Sequence, residues 1–183
     1  MIKINFGSGH FPLKGWVNVD SDPSCNPDVV ADLGKPLPFD NGCASHLHSE
    51  DFFDQLPLDL AYAFLRDCHR LLAPGGVMRL LTPDLAKLAG MYVNRDPRLL
   101  QLWRDNVPIP LKTGSHCEVL NLGMRLGGHT FLYDAPTLKH VLSECGFDGR
   151  EVSFNQSAEP ELRGIDLRSP DNAISMYFDC YRV

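Results

Sequence analysis

Apolar positions along the chain fall into short blocks whose spacing alternates between that of a strand and that of a helix. The first block, Ile2-Lys3-Ile4-Asn5-Phe6, has period two and breaks into Gly7-Ser8-Gly9. Trp16-Val17-Asn18-Val19 predicts a second strand closed by an acid, Asp20. Residues 29–33 predict a third strand with Asp32 near its end, followed by a proline-rich turn at 34–38. A fourth is predicted over 43–49, although Ser45, His46 and His48 make it more polar than a buried parallel strand usually is. Leu58, Tyr62, Leu65, His69 and Leu72 recur at helical spacing, and Pro74-Gly75-Gly76 stops that helix. Residues 77–82 read as a fifth strand, halted by Pro83. From 84 to 132 the pattern turns irregular and helical, with breaks at Pro97, Pro108 and Pro110. Residues 135–145 predict a helix with Asp134 as N-cap, Pro136 in its first turn and Gly146 past its end. Two terminal strands follow, 151–154 and 173–182, joined by a long loop.

Seven strands alternating with helices predict an α/β chain with a Rossmann-like, doubly wound, mostly parallel sheet covered on both faces. At 183 residues this is a single domain, 1–183, in which 84–132 stands out as an insertion. One element is short. Only His10 to Gly15 separate the glycine turn from Trp16, whereas a parallel crossover ordinarily takes about a dozen residues or more. The first crossover helix is therefore expected to be shortened or missing.

That opening also carries the candidate chemistry. A glycine turn after one strand lets backbone approach a ligand, and a carboxylate closing the next accepts hydrogen bonds from ribose hydroxyls. Gly7, Gly9, Asp20 and Asp32 together predict a nucleoside site. A third glycine and a long first helix, whose N-terminus would hold a pyrophosphate, are both absent, which disfavours a nicotinamide cofactor. A net charge of −6 without any Lys/Arg run argues against a nucleic-acid partner. No run approaches the roughly 18 apolar residues of a membrane helix, and the chain enters a strand at Ile2, so a cytoplasmic protein without signal peptide is expected. Six cysteines lie scattered with no C-x-x-C pair, which fits free thiols better than a zinc site. His46 and His48 alternate onto one strand face without a third ligand nearby, so no metal is expected.

The segments Asn5-Phe6-Gly7-Ser8-Gly9, Gly15-Trp16-Val17-Asn18-Val19-Asp20, Asp28-Val29-Val30-Ala31-Asp32-Leu33 and Pro36-Leu37-Pro38-Phe39 come first. They are followed by Cys68-His69-Arg70-Leu71-Leu72-Ala73-Pro74-Gly75-Gly76, Thr82-Pro83-Asp84-Leu85 and His129-Thr130-Phe131-Leu132-Tyr133-Asp134. In this order the set resembles the class I S-adenosylmethionine-dependent methyltransferases, and within them the short bacterial, type 11-like group with a G-x-G…G-W-x-N-x-D opening. A brief first crossover is a habit of that group.

The resemblance implies S-adenosylmethionine as cofactor. Phe6, Gly7, Ser8 and Gly9 would pass beneath its methionine part, Asp20 would take the ribose hydroxyls, and Asp32 with Leu33 would reach the adenine edge. Ser49 and Glu50 would face the methionyl group and the reacting methyl. Where relatives read S-H-x-L-E-H, this chain has Glu50-Asp51-Phe52-Phe53-Asp54-Gln55. Glu50 and His129 are the candidate catalytic residues, and 84–132 the candidate lid and acceptor wall. The implied acceptor is a small molecule or a carbohydrate, with a sugar hydroxyl methylated on oxygen. Such a hydroxyl benefits from a general base, whereas an amine or acidic phenol needs only orientation and desolvation. The altered stretch keeps open a catalytically silent protein of the same fold that binds cofactor or a protein partner. Leu99, Leu100, Leu102 and Trp103 offer an apolar helical face either for a homodimer or for lid packing. Arg163 and Arg168 are read either as a clamp for an anionic acceptor or as part of a solvated loop.

Overall fold

Seven strands build the sheet: β1 (Ile2–Phe6), β2 (Val17–Asp20), β3 (Val29–Val30), β4 (Ala44–Glu50), β5 (Leu72–Pro83), β6 (Phe147–Val152) and β7 (Ser175–Arg182). Five α-helices accompany them: α1 (Leu58–Leu71), α2 (Leu85–Val93), α3 (Pro97–Asn106), α4 (His116–Gly123) and α5 (Ala135–Glu144). The computed structural model describes residues 1–167 and 174–183, so Arg168 and the expected strand start at Ala173 lie outside the described residues. Spatial order in the sheet is β3-β2-β1-β4-β5-β7-β6. The first five strands pair in parallel, and β7 runs antiparallel to both β5 and β6. Residues 7–16, between β1 and β2, contain no helix.

Strand alternation sends Ile4, Phe6, Leu47, Met78, Leu80, Phe178 and Cys180 to one face. There they are buried against Ala61, Phe64, Leu65 and Cys68 of α1 and Leu138, Val141 and Leu142 of α5. Phe64 meets Phe6 edge-on at 5.3 Å between ring centres. The Asp134 carboxylate accepts from the Thr137 amide and so starts α5, while Gly146 takes φ +83° just past its end. A Cβ on Gly146 would stand 2.9 Å from the His69 ring, so both conformation and space require glycine.

The sequence predicts helices on both faces, and here the structure differs. Both α1 and α5 lie on the same face. Irregular chain covers the other, with Trp16, Val77 and Leu162 packed beside Leu13, Ile165 and Tyr181. A row of polar side chains crosses this second face: Asn18, Asn5, His48, Arg79 and Asp179, successive cross-strand partners on β2, β1, β4, β5 and β7. All five are buried, which is tolerable only because each is hydrogen-bonded. Arg79 is the centre of the row. Its guanidinium reaches Asp166 at 2.5 and 3.0 Å, Asp179 at 2.8 Å and the carbonyls of Ser153 and Gln156. Through these bonds it fastens the β6–β7 loop over the sheet in place of a helix.

Helices α2, α3 and α4 form a second, smaller core past the ends of the strands, built on Leu88, Met91, Leu99, Trp103 and Val119. Asp84, Asp96 and Ser115 cap their N-termini through backbone amides. Leu99 and Trp103, expected either on a dimer face or in lid packing, are buried inside this core, with Leu100 and Leu102 packed on it. Among the described residues no helix is long and apolar enough to cross a membrane, and all six cysteine thiols are free.

Candidate active site

β1 and β4 pair through Phe6 and Ser49, and both strands release the chain into one cavity of about 580 Å³ at their carboxyl ends. Crevices at this edge of a parallel sheet, where strand order reverses, are where α/β proteins bind ligands. The amides of Gly7 and Ser8 both donate to the Val19 carbonyl, tying the glycine turn to β2. Gly7 takes φ +65°, and a Cβ there would stand 2.5 Å from Phe52 Cβ. Around Gly9 the corresponding space is open. The turn can therefore present bare backbone to a ligand.

Asp20 stands across from this turn. One carboxylate oxygen accepts from Gly9 N at 2.7 Å and the other from Asp22 N at 2.9 Å. An ionised carboxylate has about four acceptor positions, so each oxygen keeps one for a ligand hydroxyl. The backbone bonds also fix the direction in which those positions point. On the opposite rim Asp51 adopts φ +53°, an uncommon conformation for a residue with a side chain, of the kind found at functional sites.

Of the residues singled out from sequence, Gly7, Ser8, Gly9, Asp20, Leu33 and Glu50 line this cavity. Phe6 and Ser49 do not, because both side chains are fully buried in the core beneath it. Asp32 also lies outside the lining. Its carboxylate accepts from Gly34 N and pairs with Lys35 at 3.0 Å, and that lysine holds its carboxyl below the usual range. The Glu50 carboxylate accepts from Leu167 N at 3.1 and 3.2 Å, so it ties this part of the β6–β7 loop to β4.

His129 sits in a different cavity, of about 470 Å³, bounded by α2, α3 and α4. Its Nδ1 is 3.0 Å from the Gly123 carbonyl, which requires a proton on that nitrogen. Its Nε2 is 3.1 Å from Oδ2 of the fully buried Asp54. Burial raises the Asp54 carboxyl, and the neighbouring His129 opposes that rise. Nδ1 is hydrogen-bonded, and Nε2 makes a close contact with the Asp54 carboxylate. Leu167 borders both cavities.

Asn5, His48, Phe52 and Gln55 also line the first cavity and were not singled out as cofactor contacts. For Asn5 and His48 a signal existed, since both are polar residues inside otherwise buried strands. Their bonding has one polarity. The Asn18 amide nitrogen donates to the Leu13 and Trp16 carbonyls and to Asp28, leaving Asn18 Oδ1 to accept from Asn5 Nδ2 at 3.0 Å. Asn5 Oδ1 then accepts the hydrogen bond donated by His48 Nδ1–H at 2.8 Å. His48 Nε2 is left as a bare lone pair, 3.7 Å from Glu50. Burial, assisted by the Arg79 charge, lowers the His48 pKa to about 3, so the ring stays neutral. Among the described lining residues Asp20, Glu50 and Asp51 are acidic, and none is Lys or Arg. Such a wall favours a cation and disfavours a pyrophosphate. Among the described residues no cluster of three or more His, Cys, Asp or Glu is placed to hold a metal ion.

No family model matches the chain, and no curated protein matches it. Solved structures do. An S-adenosylmethionine-dependent methyltransferase from Mesorhizobium loti superposes with TM-score 0.60 at 16% identity, over 99% of this chain and 90% of that one. One from Methanosarcina mazei gives 0.59 at 12%, over 99% and 92%. Another from Thermotoga maritima gives 0.59 at 13%, over 100% and 82%. The chain therefore has the fold of the S-adenosylmethionine-dependent methyltransferases.

Proposed function

We propose that this chain is an S-adenosylmethionine-dependent methyltransferase of the short type 11-like group, acting in the cytoplasm on the oxygen of a small-molecule acceptor. One observation carries the reading. The Gly7–Gly9 turn and the Asp20 carboxylate, separate in sequence, converge on one cavity that is acidic and free of described lysine or arginine. Its size, about 580 Å³, lies in the ordinary range for cofactor sites. When bound, S-adenosylmethionine supplies a sulfonium methyl for in-line displacement by an acceptor lone pair.

The chain's own residues bind and orient. Backbone at Gly7–Gly9 lies under the methionine part, Asp20 uses its two remaining acceptor positions for the ribose hydroxyls, and Leu33 flanks the base. Asp20, Glu50 and Asp51 favour a positive charge in the cleft. Glu50 and His129, the candidate catalytic pair, both hold protein partners. Their proposed roles are accordingly positional: Glu50 closes the loop at Leu167, and His129 with Asp54 joins the lid to the core. Acceleration then comes from alignment and exclusion of water, which are strong effects in their own right. An acceptor hydroxyl acidic enough to ionise without a base, such as a phenol, suits this arrangement.

The same engagement of Glu50 and His129 favours a second reading, a silent protein that binds the cofactor and a partner. Transfer of a labelled methyl group from S-adenosylmethionine to a panel of phenols and glycosides separates the two. The expected result is a labelled O-methyl phenol, formed at least tenfold more slowly by Asp20→Ala. Absence of transfer across the panel, by protein that still binds S-adenosylhomocysteine, would leave the silent reading standing.

A further inference from the structure

The geometry points to an acceptor class: we propose that the chamber bounded by α2, α3 and α4 receives a flat aromatic compound carrying one polar group, and not a sugar. This rests on the methyltransferase reading and goes beyond it. The chamber measures about 470 Å³, and its walls include Leu88, Leu99, Leu102, Trp103 and Val119. Leu88, Leu99, Trp103 and Val119 are buried side chains of the second core, so the chamber is a built feature of that core.

Several of its described polar side-chain groups have partners within the protein. Trp103 Nε1 donates to the Ile109 carbonyl at 2.8 Å, and Asn106 Nδ2 to the Leu102 carbonyl at 2.9 Å. His129 Nδ1 is hydrogen-bonded to the Gly123 carbonyl, and its Nε2 stands 3.1 Å from Asp54 Oδ2. A sugar would bring several hydroxyls against the apolar side chains that make up most of the described walls. Each hydroxyl stripped of water without a new partner weakens binding by roughly tenfold or more. An aromatic ring has no such cost, and it gains apolar burial together with a ring face on Trp103.

The chamber adjoins the place where a donor methyl would lie. Leu167, held by Glu50, borders both cavities. Gly128, one residue before His129, lies against Gln55, which lines the cofactor cavity: the Gln55 Oε1 is 3.7 Å from where a Gly128 Cβ would stand. A ring seated among the lid leucines would therefore lie on the far side of this wall from the proposed donor cavity, with a substituent directed toward it. Among the described residues the candidate bases Glu50 and His129 each stand against a protein group, which agrees with a phenolic substituent that ionises more readily than a sugar hydroxyl.

The test uses 2-naphthol and methyl glucoside as probes on the full chain with labelled leucine and valine methyl groups. For 2-naphthol, magnetisation transfer to the methyls of Leu99, Leu102 and Val119 is expected, and none for the glucoside at the same concentration. Leu102→Trp, which fills a partly buried position in the wall, is expected to weaken naphthol at least tenfold while S-adenosylhomocysteine binding is unchanged. Contacts from the glucoside to those methyls would overturn the proposal. So would contacts from naphthol confined to other regions, or no naphthol contact up to its solubility limit. If naphthol seats in the chamber but S-adenosylhomocysteine fails to bind, the donor reading fails and the chamber's ligand class stands. If S-adenosylhomocysteine binds and naphthol misses the chamber, the reverse holds.

Discussion

His48 is the residue whose surroundings best show how the cleft is set. Neutral, buried and hydrogen-bonded only through Nδ1 to Asn5, it has a folded pKa of about 3 against an ordinary 6.5. The sign follows from the depressed value. Above pH 6.5 the ring is neutral in both folded and unfolded chains, and its full contribution is present. As pH falls from 6.5 toward 3, the unfolded chain takes up a proton that the folded one refuses, and stability declines by about 1.4 kcal/mol per unit. Glu50 at 3.7 Å pulls the other way, but burial and the Arg79 charge outweigh it. His48→Asn keeps a donor toward Asn5 and removes the titration. Urea denaturation between pH 7 and pH 4.5 is expected to show a steeper loss in the wild type than in this variant. Parallel slopes would place the His48 proton elsewhere. Residue-level legibility was uneven for a related reason. Gly7, Gly9 and Asp20 were readable because turn and strand end are local features, whereas Asp32 looks equivalent to Asp20 in sequence and differs only in what sits beside it, Lys35 and the Gly34 amide.

Among the elements, those defined by local signals were read closely. β1 has the expected bounds, α1 ends one residue early at Leu71, and α5 starts on its Asp134 cap. β5 was not. It begins at Leu72, straight out of α1, and runs through Pro74-Gly75-Gly76, which look like a turn. The pairing explains this: Ala44 faces Leu72 and His46 faces Val77, so the intervening residues bulge out of the ladder and the strand resumes in register. β3 is shorter than expected and β6 starts earlier, at Phe147, because non-local pairing with β2 and β7 sets those limits. The covering of the second face was the least legible feature. Asn5, His48, Arg79 and Asp179 look like interruptions in separate strands until the registers align them. Arg79→Ala tests whether this row holds the β6–β7 loop. Leaving Asp166 and Asp179 buried without their cation is expected to cost about 3–5 kcal/mol in chemical denaturation, with faster proteolysis within 153–167. A loss below about 1 kcal/mol would mean that the loop is held by other contacts.

At the scale of the whole molecule, a sheet, one helical face, one loop-covered face and a small helical lid bring two unlike cavities together. The first is acidic and backbone-lined, suited to a cationic nucleoside. The second is largely apolar among its described lining residues and bounded by helices, suited to an uncharged ring. Absence of a long helix after β1 leaves no N-terminal dipole aimed at a phosphate, and a sulfonium does not need one. Calorimetric titration with S-adenosylhomocysteine tests this account most directly, using wild type, Asp20→Ala and Asp32→Ala. The account predicts one site per chain in the wild type, binding at least tenfold weaker in Asp20→Ala, and little change in Asp32→Ala. No heat with folded wild-type protein, or Asp20→Ala binding as tightly as wild type, would contradict it.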